Sequence, residues 1–299
     1  MRLSLVLALA AVMLSAQASA QTAPAMATAP ASAEAAKDPV AAERIKPFQY
    51  LYGSAEAGAL SLQAWHLIVD LVRERVRNRP ADSVILADGS TLAEPHFVPC
   101  GDKPLAAVFD VDETVILNLG LEARAAAGES TGGGMVNRWA QTGAKAVAPV
   151  PGAMFAINAL RDMGVTVIFN TNRGSASAEG TAAAIAAAGL GKAAHGETLF
   201  LSGDDAMGAR KDGRRWTIAA KYCVVAMAGD QLVDISDLFN ANDLSVADRR
   251  QAALRGWVAQ MWGQGWFVLP NPVYGSGLKG GLDDIFPADK RWTDTGAGQ

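Results

Sequence analysis

The apolar positions along the chain fall into a repeated order. Leu105-Ala-Ala-Val-Phe109 is a short unbroken apolar run. Val165-Thr-Val-Ile-Phe169, Thr198-Leu-Phe-Leu201, Tyr222-Cys-Val-Val-Ala226 and Trp266-Phe-Val-Leu269 repeat the pattern. Runs of this length, without regular polar alternation, predict strands buried on both faces. Between the runs the spacing changes toward 3.6. Within Phe48–Arg77, the positions Leu60, Trp65, Leu67, Ile68, Leu71, Val72 and Val76 predict a helix that Asn78 and Pro80 end. Pro151–Met163, Ala176–Ala188 and Val246–Trp262 predict further helices, the first two closed by Gly164 and Gly189. Residues 84–99 carry short apolar runs on either side of an Asp88-Gly89 turn signal. Strands alternating with helices predict an α/β chain with a parallel sheet covered by helices on both faces. Residues 118–148 interrupt the alternation with a Gly- and Ala-rich, mostly helical stretch, expected to be a cap insertion.

The N-terminus follows a different pattern. Arg2 is the only charge before an apolar stretch from Leu3 to Leu14, and Ala18-Ser19-Ala20 supplies a small-residue cleavage site. This predicts a signal peptide over residues 1–20 and a periplasmic or secreted protein. The apolar stretch is short of the ~20 residues a membrane span needs, and no Cys stands at the cleavage site, so no membrane anchor is expected. Residues 21–42 are rich in Ala, Pro and Thr without periodicity. A flexible leader is expected over 21–47, and one folded domain over 48–299. The formal net charge is −4 with no dense basic run. That excludes a nucleic-acid polymer as the expected partner and leaves a small anionic substrate.

Candidate chemistry collects at the carboxyl ends of the expected strands, where parallel sheets bind ligands. Phe109-Asp110-Val111-Asp112-Glu113-Thr114 directly follows the first strand. Two carboxylates at i and i+2 on such a turn can share a pocket, hold Mg²⁺, and divide the work of nucleophile and acid/base. Thr171 follows the second strand and can bond a phosphoryl oxygen. Lys211, in Arg210-Lys-Asp-Gly-Arg-Arg215, is either a phosphate-binding cation or part of a solvated charge run. Asp230 and Asp234 follow the fourth strand and can complete a metal site. His66, His96 and His195 show no metal-ligand spacing. No nucleophile elbow or phosphate-binding glycine loop is present. Trp257, Trp262 and Trp266 have near-helical spacing and are read as core.

These elements, in this order, resemble the haloacid dehalogenase (HAD) superfamily of phosphohydrolases. The chain is most similar to the bacterial class C acid phosphatases, including the lipoprotein-type 5′-nucleotidases, and more distantly to class B enzymes and plant vegetative storage proteins. The resemblance runs through Tyr50-Leu-Tyr-Gly-Ser-Ala-Glu56, the motif at 109–114, Val150-Pro-Gly152, Asn170-Thr-Asn-Arg173 and Lys211-Asp-Gly-Arg-Arg215. It continues through Gly229-Asp-Gln-Leu-Val-Asp234 to Phe267-Val-Leu-Pro-Asn-Pro-Val-Tyr-Gly275. It implies a Rossmann-like core with a helical cap and a Mg²⁺-dependent acid phosphatase cleaving small phosphomonoesters through an aspartyl-phosphate. Asp110 is implied as nucleophile and metal ligand. Asp112 is implied as acid/base, with its backbone carbonyl also on the metal. Thr171 and Lys211 are implied as phosphoryl-binding, Asn172 and Arg173 as contacts to substrate or cap, and Asp230 and Asp234 as the remaining metal set. A protonated Asp112 in the first step implies an acidic optimum. The same resemblance makes the first and fourth strands parallel neighbours, which leaves a Cys100–Cys223 disulfide open; it also leaves a homodimer open.

The chain departs from its relatives after the motif. Val115-Ile-Leu-Asn-Leu-Gly-Leu121 keeps only Asn118 of the polar residues usual there, and Gln231 and Val233 replace asparagines. Relatives stack a nucleobase between cap aromatics, of which Trp139 is the one candidate here, so the substrate is left open. Two rival readings remain: a phosphotransferase on the same scaffold, and a non-catalytic binding or storage protein.

Overall fold

The computed structural model describes residues 39–132, 134–241, 244–294 and 296. The expected signal peptide and residues 21–38 of the expected leader lie outside the described residues. The described chain opens with helix α1 (Pro39–Phe48), one turn of π-helix (Gln49–Gly53) and α2 (Ala55–Arg77). Ser54 caps α2 by accepting the Ala57 N–H at 3.1 Å. The leader therefore gives way to helix earlier than expected: the Arg44 side chain on α1 donates to the Ala126 carbonyl at 3.1 Å.

Strands β1 (Asp82–Leu86) and β2 (Phe97–Pro99) pair antiparallel around the Asp88-Gly89 turn. β3 (Leu105–Phe109) leads to a narrow ribbon of β4 (Ile116–Leu117) and β5 (Ala148–Pro149). The cap emerges from that ribbon as α3 (Leu119–Ala126) and α4 (Met135–Thr142). α5 (Ala153–Asp162), β6 (Thr166–Gly174), α6 (Ala178–Ala187), β7 (Leu199–Ser202), α7 (Asp212–Lys221) and β8 (Cys223–Gly229) follow. The chain continues through α8 (Val246–Leu254), α9 (Gly256–Met261), β9 (Trp266–Val268) and a short α10 (Leu282–Ile285).

The main sheet has the order β7-β6-β3-β8-β9 and is parallel throughout. The side-chain period of two divides β3 between two cores. Ala107 and Phe109 pack with Trp65, Ile68 and Val72 of α2 and Ile157 and Leu160 of α5. Ala106 and Val108 pack with Val84 and Ile85 of β1, Ile218 of α7, Phe239 and Trp266. Both faces are thus covered, as the continuous apolar runs require. The tryptophans belong to the second core: Trp257 and Trp262 lie 5.5 and 5.7 Å from Trp266 by ring centroid.

Two elements differ from the sequence expectation. The helix expected over Val246–Trp262 is two helices, because Arg255 is extended and Gly256 takes φ +60°. α7 was not expected, because Arg214 and Arg215 disguise its buried face. Both are fully buried. Arg215 is neutralised by Asp212 at 2.6 Å, while Arg214 donates to the Thr171 carbonyl at 2.8 Å and the Asn172 side chain at 2.7 Å. Cys100 and Cys223 are placed as a disulfide pair with Cα atoms 4.6 Å apart, at the amino end of β8. No described helix is long and apolar enough to cross a membrane.

Candidate active site

β3 ends its sheet pairing when the Asp110 N–H donates to the Ala228 carbonyl at 2.9 Å. The chain then coils tightly, with the Val115 and Ile116 N–H groups both donating to the Val111 carbonyl. Within this coil Glu113 takes φ +52°, a left-handed value unusual for a residue with a side chain. The Glu113 carboxylate is held from three directions. It accepts the Tyr52 hydroxyl at 3.1 Å, the Asn118 backbone N–H at 2.8 Å, and the Tyr274 hydroxyl. Burial, then the neighbouring Asp112 charge, push its carboxyl up to about 7. Glu113 is therefore the pin of the loop that presents Asp110 and Asp112.

Asp110 is buried at the strand end. Its Oδ1 accepts the Lys211 ammonium at 2.5 Å, and its Oδ2 faces the Thr114 hydroxyl at 3.3 Å. Lys211 also donates to Asp234 Oδ1 at 2.6 Å and to the Asn170 carbonyl at 2.8 Å. The charge run around Lys211 is therefore not solvated at this position: Lys211 is 1% exposed. Burial pushes its ammonium down, but Asp110 and Asp234 outweigh that and hold it above the ordinary lysine range. Burial, opposed by Lys211 and reinforced by Asp234 and Asp112, leaves the Asp110 carboxyl raised to about 7. Asp230 accepts the Asn271 amide at 2.6 Å and the Gln231 amide at 3.0 Å. Burial and the charges of Asp234 and Asp110 raise its carboxyl well above the usual range.

Oxygen atoms of Asp110, Asp230 and Asp234 lie within 4.8 Å of one another, and all three residues are buried. Three carboxylates and one ammonium leave two negative charges, which a divalent cation would neutralise. The donor set is all oxygen, which suits Mg²⁺. The residues present therefore fit the implied ion. The Asp112 carboxylate is not in this cluster. It turns the other way, accepting Arg173 Nη2 at 2.7 Å, Arg173 Nε at 3.0 Å and Asn118 Nδ2 at 2.7 Å. Burial would raise its carboxyl, but the Arg173 guanidinium and its hydrogen bonds hold it below the ordinary range. The Asp112 carboxylate is thus engaged by Arg173 and Asn118, apart from the cluster of Asp110, Asp230 and Asp234.

Thr171 is fully buried beside Asp112, to which its hydroxyl donates at 3.4 Å, and it accepts the Arg173 N–H at 3.1 Å. Asn172 lines the cavity, fixed from behind by Arg214. The cavity itself measures about 520 Å³. Asp110, Asp112, Asp230 and Lys211 line its floor, and Phe48, Leu121, Glu122, Val136 and Trp139 line the part contributed by α1 and the cap. A larger opening of about 630 Å³ lies near the Asp88-Gly89 turn; it shares Asn172 and Val233 with the cavity and none of the clustered carboxylates, so it is not where this chemistry occurs. The Trp139 indole N–H donates to Asn118 Oδ1 at 2.9 Å, which ties the cap to the partners of Asp112.

Sequence reasoning missed Tyr52, Thr114, Asn271 and Arg214 as site residues. All four stand inside quoted motifs, so their signal was present, although Arg214 also reads as part of a charge run. No curated protein matches the sequence. Two solved structures of a class C acid phosphatase from Bacillus anthracis, one with tungstate bound, share the fold at 20% identity, with TM-scores of 0.62 and 0.63. Each alignment covers 79% of this chain and 86% of the other. Residues 68–277 match the family described as HAD superfamily, subfamily IIIB (Acid phosphatase). This chain belongs to that family of acid phosphatases.

Proposed function

We propose that the protein is an exported, Mg²⁺-dependent acid phosphatase that hydrolyses phosphate monoesters through an aspartyl-phosphate on Asp110. The carrying observation is that Asp110 lies at the cavity floor, bonded to a buried ammonium and clustered with Asp230 and Asp234. Mg²⁺ held by Asp110, Asp230, Asp234 and the Asp112 carbonyl would offset the negative charge of the phosphoryl oxygens. Asp110 attacks phosphorus in line, and the bonding pair of the scissile P–O bond leaves with the alkoxide. Asp112 gives that oxygen a proton. Asp112 then takes a proton from the water that attacks phosphorus, which releases phosphate and restores the Asp110 carboxylate. Thr171, Asn172 and Lys211 orient the phosphoryl group, and Arg173 orients Asp112.

Export is supported by the residues of the first segment and by the cysteine pair, which suits an oxidising compartment. The test is chemical trapping. Acid quench during turnover with Mg²⁺, followed by borohydride reduction, converts an aspartyl-phosphate to homoserine. Mass spectrometry should place homoserine at position 110, and chelation of the metal or Asp110→Asn should remove both label and activity. An active enzyme that never yields homoserine there would overturn the covalent route.

A further inference from the structure

The cap and α1 give the cavity an apolar lining: Phe48, Leu121, Val136 and Trp139. Among the described cap residues lining it, one is ionisable. Glu122, in the first turn of α3, is 9% exposed and faces the cavity. Its side chain makes no hydrogen bond or ion pair to any described residue. Every other carboxylate of the cavity has a partner: Asp110 and Asp234 have Lys211, Asp112 has Arg173, Glu113 has two tyrosines and Asp230 has Asn271. The side chain is largely enclosed, and burial, then the Asp112 charge, push its carboxyl up to about 7.

The charge of the whole cavity points the same way. Acidic side chains outnumber basic ones in its lining, six to two. A substrate delivers its dianionic phosphoryl group to the floor. A second anion on its alcohol half would meet Glu122 in an apolar surround, whereas a cation there would satisfy it. Aromatic faces next to a carboxylate are a recurrent setting for ammonium groups.

We propose that Glu122 is the specificity residue of the leaving-group pocket, and that it pairs with an ammonium carried on the alcohol half of the substrate while Trp139 and Phe48 cover the apolar part. This rests on the phosphatase reading above. It makes the preferred substrates phosphomonoesters of amino alcohols, with the amine on an apolar or aromatic stem, and disfavours esters that carry a second acid.

The test compares three aryl phosphates of similar shape at pH 7: 4-(aminomethyl)phenyl, 4-(hydroxymethyl)phenyl and 4-methylphenyl phosphate. The wild-type enzyme should favour the amine over the methyl compound by about tenfold in kcat/KM, the scale of one desolvated ion pair. In Glu122→Gln, an isosteric change, the ratio measured within the variant should fall to about twofold or less. A wild-type enzyme without amine preference overturns the proposal even if no variant folds. So does a preference that survives Glu122→Gln, or one for the hydroxymethyl compound. Failure of the phosphatase reading looks different, because then none of the three esters is cleaved.

Discussion

At the scale of single residues, the decisive pair is Asp112 with Arg173. The guanidinium donates to both carboxylate oxygens, and its side chain is 5% exposed against 28% for Asp112. A general acid is useful only while protonated, and Arg173 favours the ionised form. The pair as it stands therefore suits Asp112 as the base of the second step, and proton donation in the first step requires the pair to open. The sign of the pH dependence follows. With Asp112 as the proposed acid, activity on the alkaline side should fall as pH rises through its pKa, which Arg173 holds low. Arg173→Met should move the alkaline limb of kcat/KM to higher pH. It should also lower kcat/KM by about tenfold or more, because Asp112 loses its orientation. A pH–rate profile on an aryl phosphate reads both effects. An unmoved alkaline limb would remove Asp112 from the role of acid.

At the scale of elements, the cap is joined to the core through close backbone packing as well as through its ribbon. Gly180 on α6 meets α4 directly: a Cβ there would stand 2.3 Å from the Ala140 carbonyl oxygen and 2.6 Å from the Gln141 Cα. Those are backbone atoms and cannot rotate away. Gly180→Ala should therefore displace α4 from α6 at a cost of about 1–3 kcal/mol, and with it Trp139 and its bond to Asn118. Amide hydrogen exchange over 135–142 should speed up while 105–109 in β3 stays protected; equal protection in both segments would refute the proposed seam. This contact was not legible in the sequence, where Gly180 reads as one more small residue in an alanine-rich helix. What was legible has a physical pattern. Strands buried on both faces advertise themselves as unbroken apolar runs, and Asp110, Asp230 and Asp234 stand just past the ends of two of them. The end of β6 is not legible as strand because Asn170 to Arg173 are polar, and Asn172 and Arg173 line the cavity. α7 was not read because its buried face carries arginines in place of apolar residues. Glu122 was invisible because its meaning depends on a pocket assembled from α1, the cap and the loop at Tyr274. The grip on Glu113 was hidden for the same reason: Tyr52 and Tyr274 come to it from 61 and 161 residues away.

At the scale of the whole molecule, the sheet separates stability from chemistry. Cys223 is the first residue of β8 and pairs in register with Leu105 at the start of β3, while Asp110 and Asp230 follow the opposite ends of the same two strands. A bridge between Cys100 and Cys223 would span 123 residues and enclose the cap, α5, β6, α6, β7 and α7. Chain-entropy reasoning assigns a loop of that size about 5 kcal/mol at most, and measured bridges typically contribute about 2–4 kcal/mol. In a domain of this size that corresponds to about 5–15 °C in the unfolding midpoint. Because the staple lies at the end of the sheet away from the carboxylates, its loss should leave the site in place. The paired variant Cys100→Ser with Cys223→Ser, or the reduced protein, should therefore melt lower by that amount while kcat at 25 °C stays within about twofold of the bridged enzyme. An unchanged midpoint would show that the two thiols are not bridged in the folded protein. A large loss of kcat at 25 °C would show that the amino end of the sheet and the active site are mechanically coupled, which the five-stranded parallel core argues against.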